Sequence, residues 1–197
     1  MSDTNKSKYF RGGVALCFAL IGTAATLSDV GKKAERYSAL QMEDSLLGLE
    51  DKYAFLYEHF GRPAHFYQSL SKALLKDDYS MLELLAINEK AVTADSQEDY
   101  ASLQLPLLPP AIHLHHTDFE DHTALTAGGY PLTAIAISNN NQLVISFKNV
   151  SESTVIELEQ QMDHNPSTQE GSETGRVTFK KGASGYQVKL KGLRTFS

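Results

Sequence analysis

The sequence predicts an α+β protein: a long N-terminal, membrane-rooted α-helix, two short helices, then a small antiparallel sheet in the order ββαββ packed on the helical spine. Three observations predict it. The stretch from Val14 to Phe60 reads as one nearly continuous helix, apolar all round at its front and amphipathic behind. A two-residue period begins at Tyr130. Strong punctuation stands at Gly61-Arg-Pro63, Asn139-Asn-Asn141 and Gly182-Ala-Ser-Gly185.

The N-terminus is polar and basic at Lys6, Lys8 and Arg11, and an uncharged apolar run over residues 12–27 follows. That run sends the chain to a membrane, with the basic flank left inside. It is short of the roughly 20 residues of a full span. Three readings fit it: a cleaved secretory signal ending in small residues near Thr23-Ala24-Ala25, a retained signal anchor, or a leader cut on the cytoplasmic side after Gly13. The residues beyond discriminate. Tyr37, Leu40, Leu46 or Leu47, Leu49, Tyr53, Leu56 or Tyr57, and Phe60 keep a three- and four-residue step. Charged residues fill the gaps, and Gly61-Arg-Pro63 stops the run. Gly31 and Gly48 are weak points, each costing about 1 kcal/mol relative to Ala. A helix continuing through the signal-cleavage point favours a membrane-rooted spine over a cleaved signal.

Residues 66–75 and 79–90 read as two short helices, with Leu70, Leu74, Leu82, Leu85 and Ala86 on the buried face. Pro106, Pro109 and Pro110 forbid regular helix in the connector over residues 91–111. Leu132, Ala134 and Ala136 then alternate with Thr133, Ile135 and Ile137; the Asn139-Asn-Asn141 turn returns the chain through a strand carrying Leu143, Ile145 and Phe147 on one face. Residues 151–162 read as a helix capped by Ser151 or Ser153, with Val155, Ile156 and Leu158 toward the sheet. Residues 164–175 read as loop, and 176–180 with 186–191 as a second hairpin.

Composition narrows the function classes. The chain has 197 residues, 18 basic and 24 acidic, for a net charge of −6. Such an acidic body has no counterion-release reason to bind nucleic acid. Cys17 is the only cysteine, so an intrachain disulfide and a Cys-based zinc site are both excluded.

Two segments carry a family resemblance. Arg11-Gly-Gly-Val-Ala-Leu-Cys-Phe-Ala-Leu20 resembles a type IV prepilin processing site. Ala127-Gly-Gly-Tyr130, followed by alternating strands, Gln142-Leu-Val-Ile-Ser-Phe-Lys-Asn-Val150 and a Ser-initiated helix, is similar to the central sheet region of type IVb pilins. The resemblance implies a basic leader over 1–13, a helix over 14–60 with its membrane segment at about 14–30, a connector over 61–126 and an α+β head over 127–197. It implies cleavage between Gly13 and Val14 by a prepilin peptidase. Val14, Leu16, Phe18, Leu20 and Ile21 would lie on the membrane helix. The expected place is the bacterial inner membrane with a periplasmic head, then a pilus or the extracellular surface. The implied partners are other pilin subunits and pilus or secretion assembly proteins.

Two departures bear on the role. Pilins usually carry Glu at the fifth mature position, where this chain has Phe18, and type IVb pilins usually pin their C-terminal region with a disulfide. Both departures point to a minor pilin or pseudopilin rather than a major subunit. The alternatives are a bitopic inner-membrane assembly-platform protein of a pilus or type II secretion machine, and a secreted binding domain or metal-dependent enzyme behind a signal peptide.

Catalytic motifs do not surface: G-x-S-x-G, phosphate-cradling, H-E-x-x-H and C-x-x-C patterns are all missing from the sequence. No enzyme activity and no cofactor is expected. Ser184 reads as a turn residue, and Asn149-Val-Ser151 is a bare glycosylation pattern. One cluster suggests a ligand: His113-Leu-His115-His116-Thr-Asp118-Phe-Glu120-Asp121-His122. On a strand, His113 and His115 would share a face, with Asp118 or His122 completing a metal site. The plainer reading is a solvated polar loop, and no metal is assigned.

Overall fold

Helix α1 runs unbroken from Thr4 to Phe60, 57 residues in a computed structural model, which corresponds to about 85 Å. The structure describes residues 4–61, 65–76, 78, 82, 108–117, 122–164 and 171–196. Its side chains are described from Asp29 on, apart from those of residues 65, 116, 117, 122, 123 and 171. The helix begins ten residues before the expected Val14, through a stretch containing Lys6, Lys8 and Arg11, which favour helix well. It ends at the expected punctuation. Gly61 takes φ of 66° and donates its N–H to Tyr57 O at 2.7 Å, a left-handed helix ending.

The buried stripe of α1 is Ala39, Met42, Leu46, Leu49, Tyr53 and Leu56. Its steps of three and four residues make one seam. The expected face is corrected at two positions: Tyr37 is 62 % exposed and Leu40 is 42 % exposed. Both have helical spacing, but they lie beside the seam that Ala39 and Met42 lead.

Helix α2 (His65–Leu75) packs on the strand Tyr130–Ile137, burying Phe66, Tyr67, Leu70 and Leu74. Of the second short helix expected over 79–90, Leu82 is described. It is buried, and its N–H meets Asp78 O at 3.0 Å, a helical step. Leu85 and Ala86 lie outside the described residues, as do residues 91–107 of the connector.

The architecture is α+β, but the sheet is larger than the four strands expected. Among the described residues it has seven antiparallel strands in the order β1-β2-β3-β4-β7-β6-β5. Their ranges are β1 His113–Thr117, β2 His122–Ala127, β3 Tyr130–Ile137, β4 Gln142–Val150, β5 Gly171–Ser172, β6 Val177–Gly182 and β7 Gly185–Thr195. Strands β1 and β2 occupy what reads as connector, because their polar, histidine-rich residues lack the apolar alternation that marks a strand. Strand β5 pairs Gly171 and Ser172 with Lys180 and Phe179, inside a stretch that reads as loop.

One face of the sheet is covered. Along β7, Tyr186, Val188 and Leu190 are buried while Gln187 and Lys189 are exposed. Register places Leu190 opposite Ile145 on one side and Val177 on the other. In β3 the buried residues are Leu132 and Ile135, an odd step that simple alternation forbids. A register shift between Leu132 and Ala134 turns Ile135 inward, as a bulge does. The turn to β4 uses Asn141 at φ of 58°.

Helix α3 (Glu152–Met162) is capped by Ser151, whose Oγ accepts the N–H of Thr154 at 3.2 Å. Its buried face is Thr154, Val155, Leu158, Glu159 and Met162. Ile156, expected to face the sheet, is 37 % exposed; it sits about 100° around the helix from Val155. The far end is tied by Asp163, whose carboxylate accepts from the N–H groups of Arg176 and Val177 at 2.8 and 2.9 Å.

Two glycines let backbone elements approach α1. A Cβ on Gly48 would stand 2.6 Å from Pro109 Cβ, so this residue, a weak point by propensity, is a contact point. Gly128 has φ of +60° and lies against Ser38 O, bringing the β2–β3 turn onto the helix. Gly129 has φ of +82° with open space around it. Gly128→Ala is therefore expected to cost about 2–3 kcal/mol and Gly129→Ala about 1 kcal/mol. Urea denaturation of the two variants measures this; equal midpoints would sink the assignment of Gly128 to close contact.

Candidate functional site

Helix α1 leaves the head at Ala39. Toward its N-terminus the described side chains turn outward: Val30 is 64 % exposed, and Lys32, Lys33, Arg36 and Tyr37 are exposed too. Helix α3 lies against this exit. Glu35 accepts a hydrogen bond from Ser153 Oγ, placing a carboxylate by the N-terminal turn of α3, where the helix dipole favours it. Tyr130 OH donates to Ser151 Oγ at 3.0 Å. Glu35 and Ser153 thereby clasp the exit to α3, and Tyr130 ties α3 to the strand of residues 130–137.

Beyond the clasp the two helices form an open groove of about 530 Å³ lined by Asp29, Lys32, Lys33, Arg36, Glu157, Gln160 and Gln161. Lys33 pairs with Asp29 at 3.1 Å. Both side-chain amide atoms of Gln161 are buried without a hydrogen-bond partner among the described residues, so the groove wall carries unused polar capacity. The cationic side follows residues 12–27 of the sequence within about two helical turns. Sequence reading missed this groove; the only signal was the run Lys32-Lys33 with Arg36 after the apolar segment.

At the other end of α1 lies an apolar cleft of about 240 Å³, lined by Tyr53, Tyr67, Gln68, Ser71, Ile135, Ala136, Ile137 and Leu143. Tyr53 stacks edge-on against Phe196 with ring centroids 4.7 Å apart. Burial raises the Tyr53 phenol above its ordinary value, and neighbouring Tyr57 adds to the shift. Beside it, buried Glu50 accepts the backbone N–H of Arg194, while the Arg194 guanidinium meets exposed Asp51 at 2.6 Å.

The predicted site residues fall in three places. Gly13, Val14, Leu16, Phe18, Leu20 and Ile21 lie on the α1 backbone, and their side chains are outside the described residues. Among the described residues no helix is long and apolar enough to cross a membrane; side chains 12–27 are not among them. His113 and His115 are on a strand, not in the solvated loop of the plainer reading: both are exposed on β1, opposite Thr126 and Ala124 of β2. His116 occupies the alternate backbone position of β1, and His122 pairs with Thr117. Asp118, Glu120 and Asp121 lie outside the described residues. Among the described residues no group of three or more His, Cys, Asp or Glu gathers to hold a metal. Ser184 is in the β6–β7 turn, exposed. Asn149 is exposed at φ of 59°, next to Val150, which is 0 % exposed.

Compared with known protein families, curated proteins and solved structures, the chain matches none.

Two measurements probe the α1–β7 junction. Glu50→Ala removes the buried acceptor of the Arg194 N–H and is expected to cost about 1–3 kcal/mol. Asp51→Ala removes only an exposed pair and is expected to cost under about 1 kcal/mol. Denaturation midpoints in urea rank the two. In alkali, Tyr53 keeps its proton longer in the folded chain than the ordinary value of 10.0. Its contribution to stability is therefore present below pH 10 and falls as pH rises through the raised value. Tyr53→Phe is expected to flatten that alkaline loss in midpoint-versus-pH curves.

Proposed function

We propose that this chain is a structural subunit of the type IV pilin-like class, a minor pilin or pseudopilin acting in filament assembly, initiation or surface contact. The observation that carries the reading is the single helix from Thr4 to Phe60. Its second half is the central core element of an antiparallel-sheet head, and its first half continues beyond the head in the same helix. One rigid element thus joins the head to the apolar segment. Residues 14–30 would root the subunit in the inner membrane and later pack among other spines. Lys32, Lys33 and Arg36 would stand at headgroup level, where cations are favoured.

The physical mechanism is an exchange of neighbours. An apolar spine leaves lipid and gains other helices, so packing decides the balance rather than water exclusion. The head sets register and surface chemistry. With Phe18 at the fifth mature position, the subunit brings no carboxylate to a neighbour's amino terminus, which suits a minor role. Catalysis has no part in this reading.

The assembly-platform alternative needs an apolar seam on the post-membrane helix free for another helix. Here the seam from Ala39 to Leu56 is buried by the chain itself, which weighs toward the pilin reading. The secreted alternative needs a cut near residue 26, in the interior of α1.

Mass spectrometry of the mature N-terminus separates the three. A start at Val14, with a methylated amino group, is expected. An intact Met1 or a start near Thr26 sinks the proposal in favour of the platform or secreted reading respectively. Gly13→Ala is expected to block processing; normal processing of that variant would equally overturn it.

A further inference from the structure

The histidines of β1 lie at the edge of the sheet, where, among the described residues, β1 pairs only with β2. Backbone alternation separates them into two sets. Leu114 pairs with Leu125 on the inner side, and Leu125 is 0 % exposed. His113 and His115 therefore share the outer side, and both are exposed. The residues paired with them, Thr126 and Ala124, are small, so nothing large stands across the strand from either ring. The strand is held in register by five successive pairs.

Two histidines at positions i and i+2 of a strand stand about 6.5–7 Å apart along it. Imidazole nitrogens lie far enough from the backbone for two such rings to converge on one ion with bonds of about 2.0–2.1 Å. The fixed ladder means that little further ordering of the chain is needed for the rings to meet. Exposure leaves the remaining coordination positions to water or to a donor from another molecule.

We propose that the β1–β2 hairpin is a solvent-open zinc site with His113 and His115 as its protein ligands. Neutral imidazoles suit borderline divalent cations, and zinc accepts open tetrahedral coordination. The ion closes the edge strand by a chelate on its outer face, adding a constraint to a strand with a single neighbour among the described residues. This assignment does not depend on the pilin reading. The function of the site follows from its openness: zinc held by two protein ligands can accept a third from a partner surface.

Isothermal titration of the untagged full-length chain with zinc chloride tests it. His113→Gln and His115→Gln are each expected to weaken zinc binding by about tenfold or more, because losing a ligand costs at least as much as losing a group that merely supports one. His116→Gln, at the alternate strand position, is expected to leave affinity within about twofold. Unchanged far-ultraviolet circular dichroism and urea midpoints in metal-free buffer establish that the variants fold. The proposal is overturned if the wild-type chain shows no zinc heat, if His115→Gln binds like wild type, or if His116→Gln loses as much as the other two.

Discussion

The stripe of α1 from Ala39 to Leu56 is pressed against the sheet, and the rest of the head is arranged around that contact. Its six residues are each at most 5 % exposed. Helix α1 meets β2, β4 and β7, while α3 runs beside it and α2 covers β3. Burial of this kind contributes about 1.5–3 kcal/mol for each large side chain, as an upper estimate. A helix held along four turns cannot swing. The direction in which residues 29–37 leave the head is therefore fixed by the same contacts that make the core.

The chain reaches this without a covalent staple, since its only cysteine is Cys17. The C-terminal strand is secured by position instead. Strand β7 lies inside the sheet, between β4 and β6, so it makes two ladders where an edge strand makes one. Its end is then received by α1: Glu50 takes the Arg194 N–H, Asp51 takes the guanidinium, and Tyr53 takes the Phe196 ring. A buried carboxylate is costly unless hydrogen-bonded; here the strand end supplies a donor. The last residues of the chain thus complete the core that the first helix began.

Features written in local chemistry were legible in the sequence. Gly61 as the end of α1, the Asn139-Asn-Asn141 turn, a cap at Ser151 or Ser153 and the inward set Leu143, Ile145 and Phe147 each depend on a few neighbouring residues. What was not legible depended on partners far along the chain. Tyr37 and Leu40 have helical spacing as good as that of Ala39 and Met42, and only the sheet's position chooses between the stripes. The shift in β3 that buries Ile135 is set by pairing with β4. Strands β1 and β2 carry too few apolar residues to announce themselves, yet the rule that His113 and His115 would share a face holds once the strand exists. The groove of Lys32, Lys33 and Arg36 with Gln160 and Gln161 needs α3 laid against α1, which no spacing encodes.

The exit of α1 raises an energetic question that the head alone does not answer. Helices of modest length are marginal in water without tertiary packing, even in favourable sequences. Residues 29–37 are largely exposed, and the apolar run over 12–27 lies further out along the same helix. In water that run would expose a continuous apolar surface with no face polar enough to solvate it. Lipid or other apolar helices remove this cost, and both also favour helix by leaving backbone groups no partner but each other. The helix continuity and the apolar run therefore call for the same surroundings. Under the proposed pilin-like role, such a spine would suit a subunit that passes from lipid to like spines.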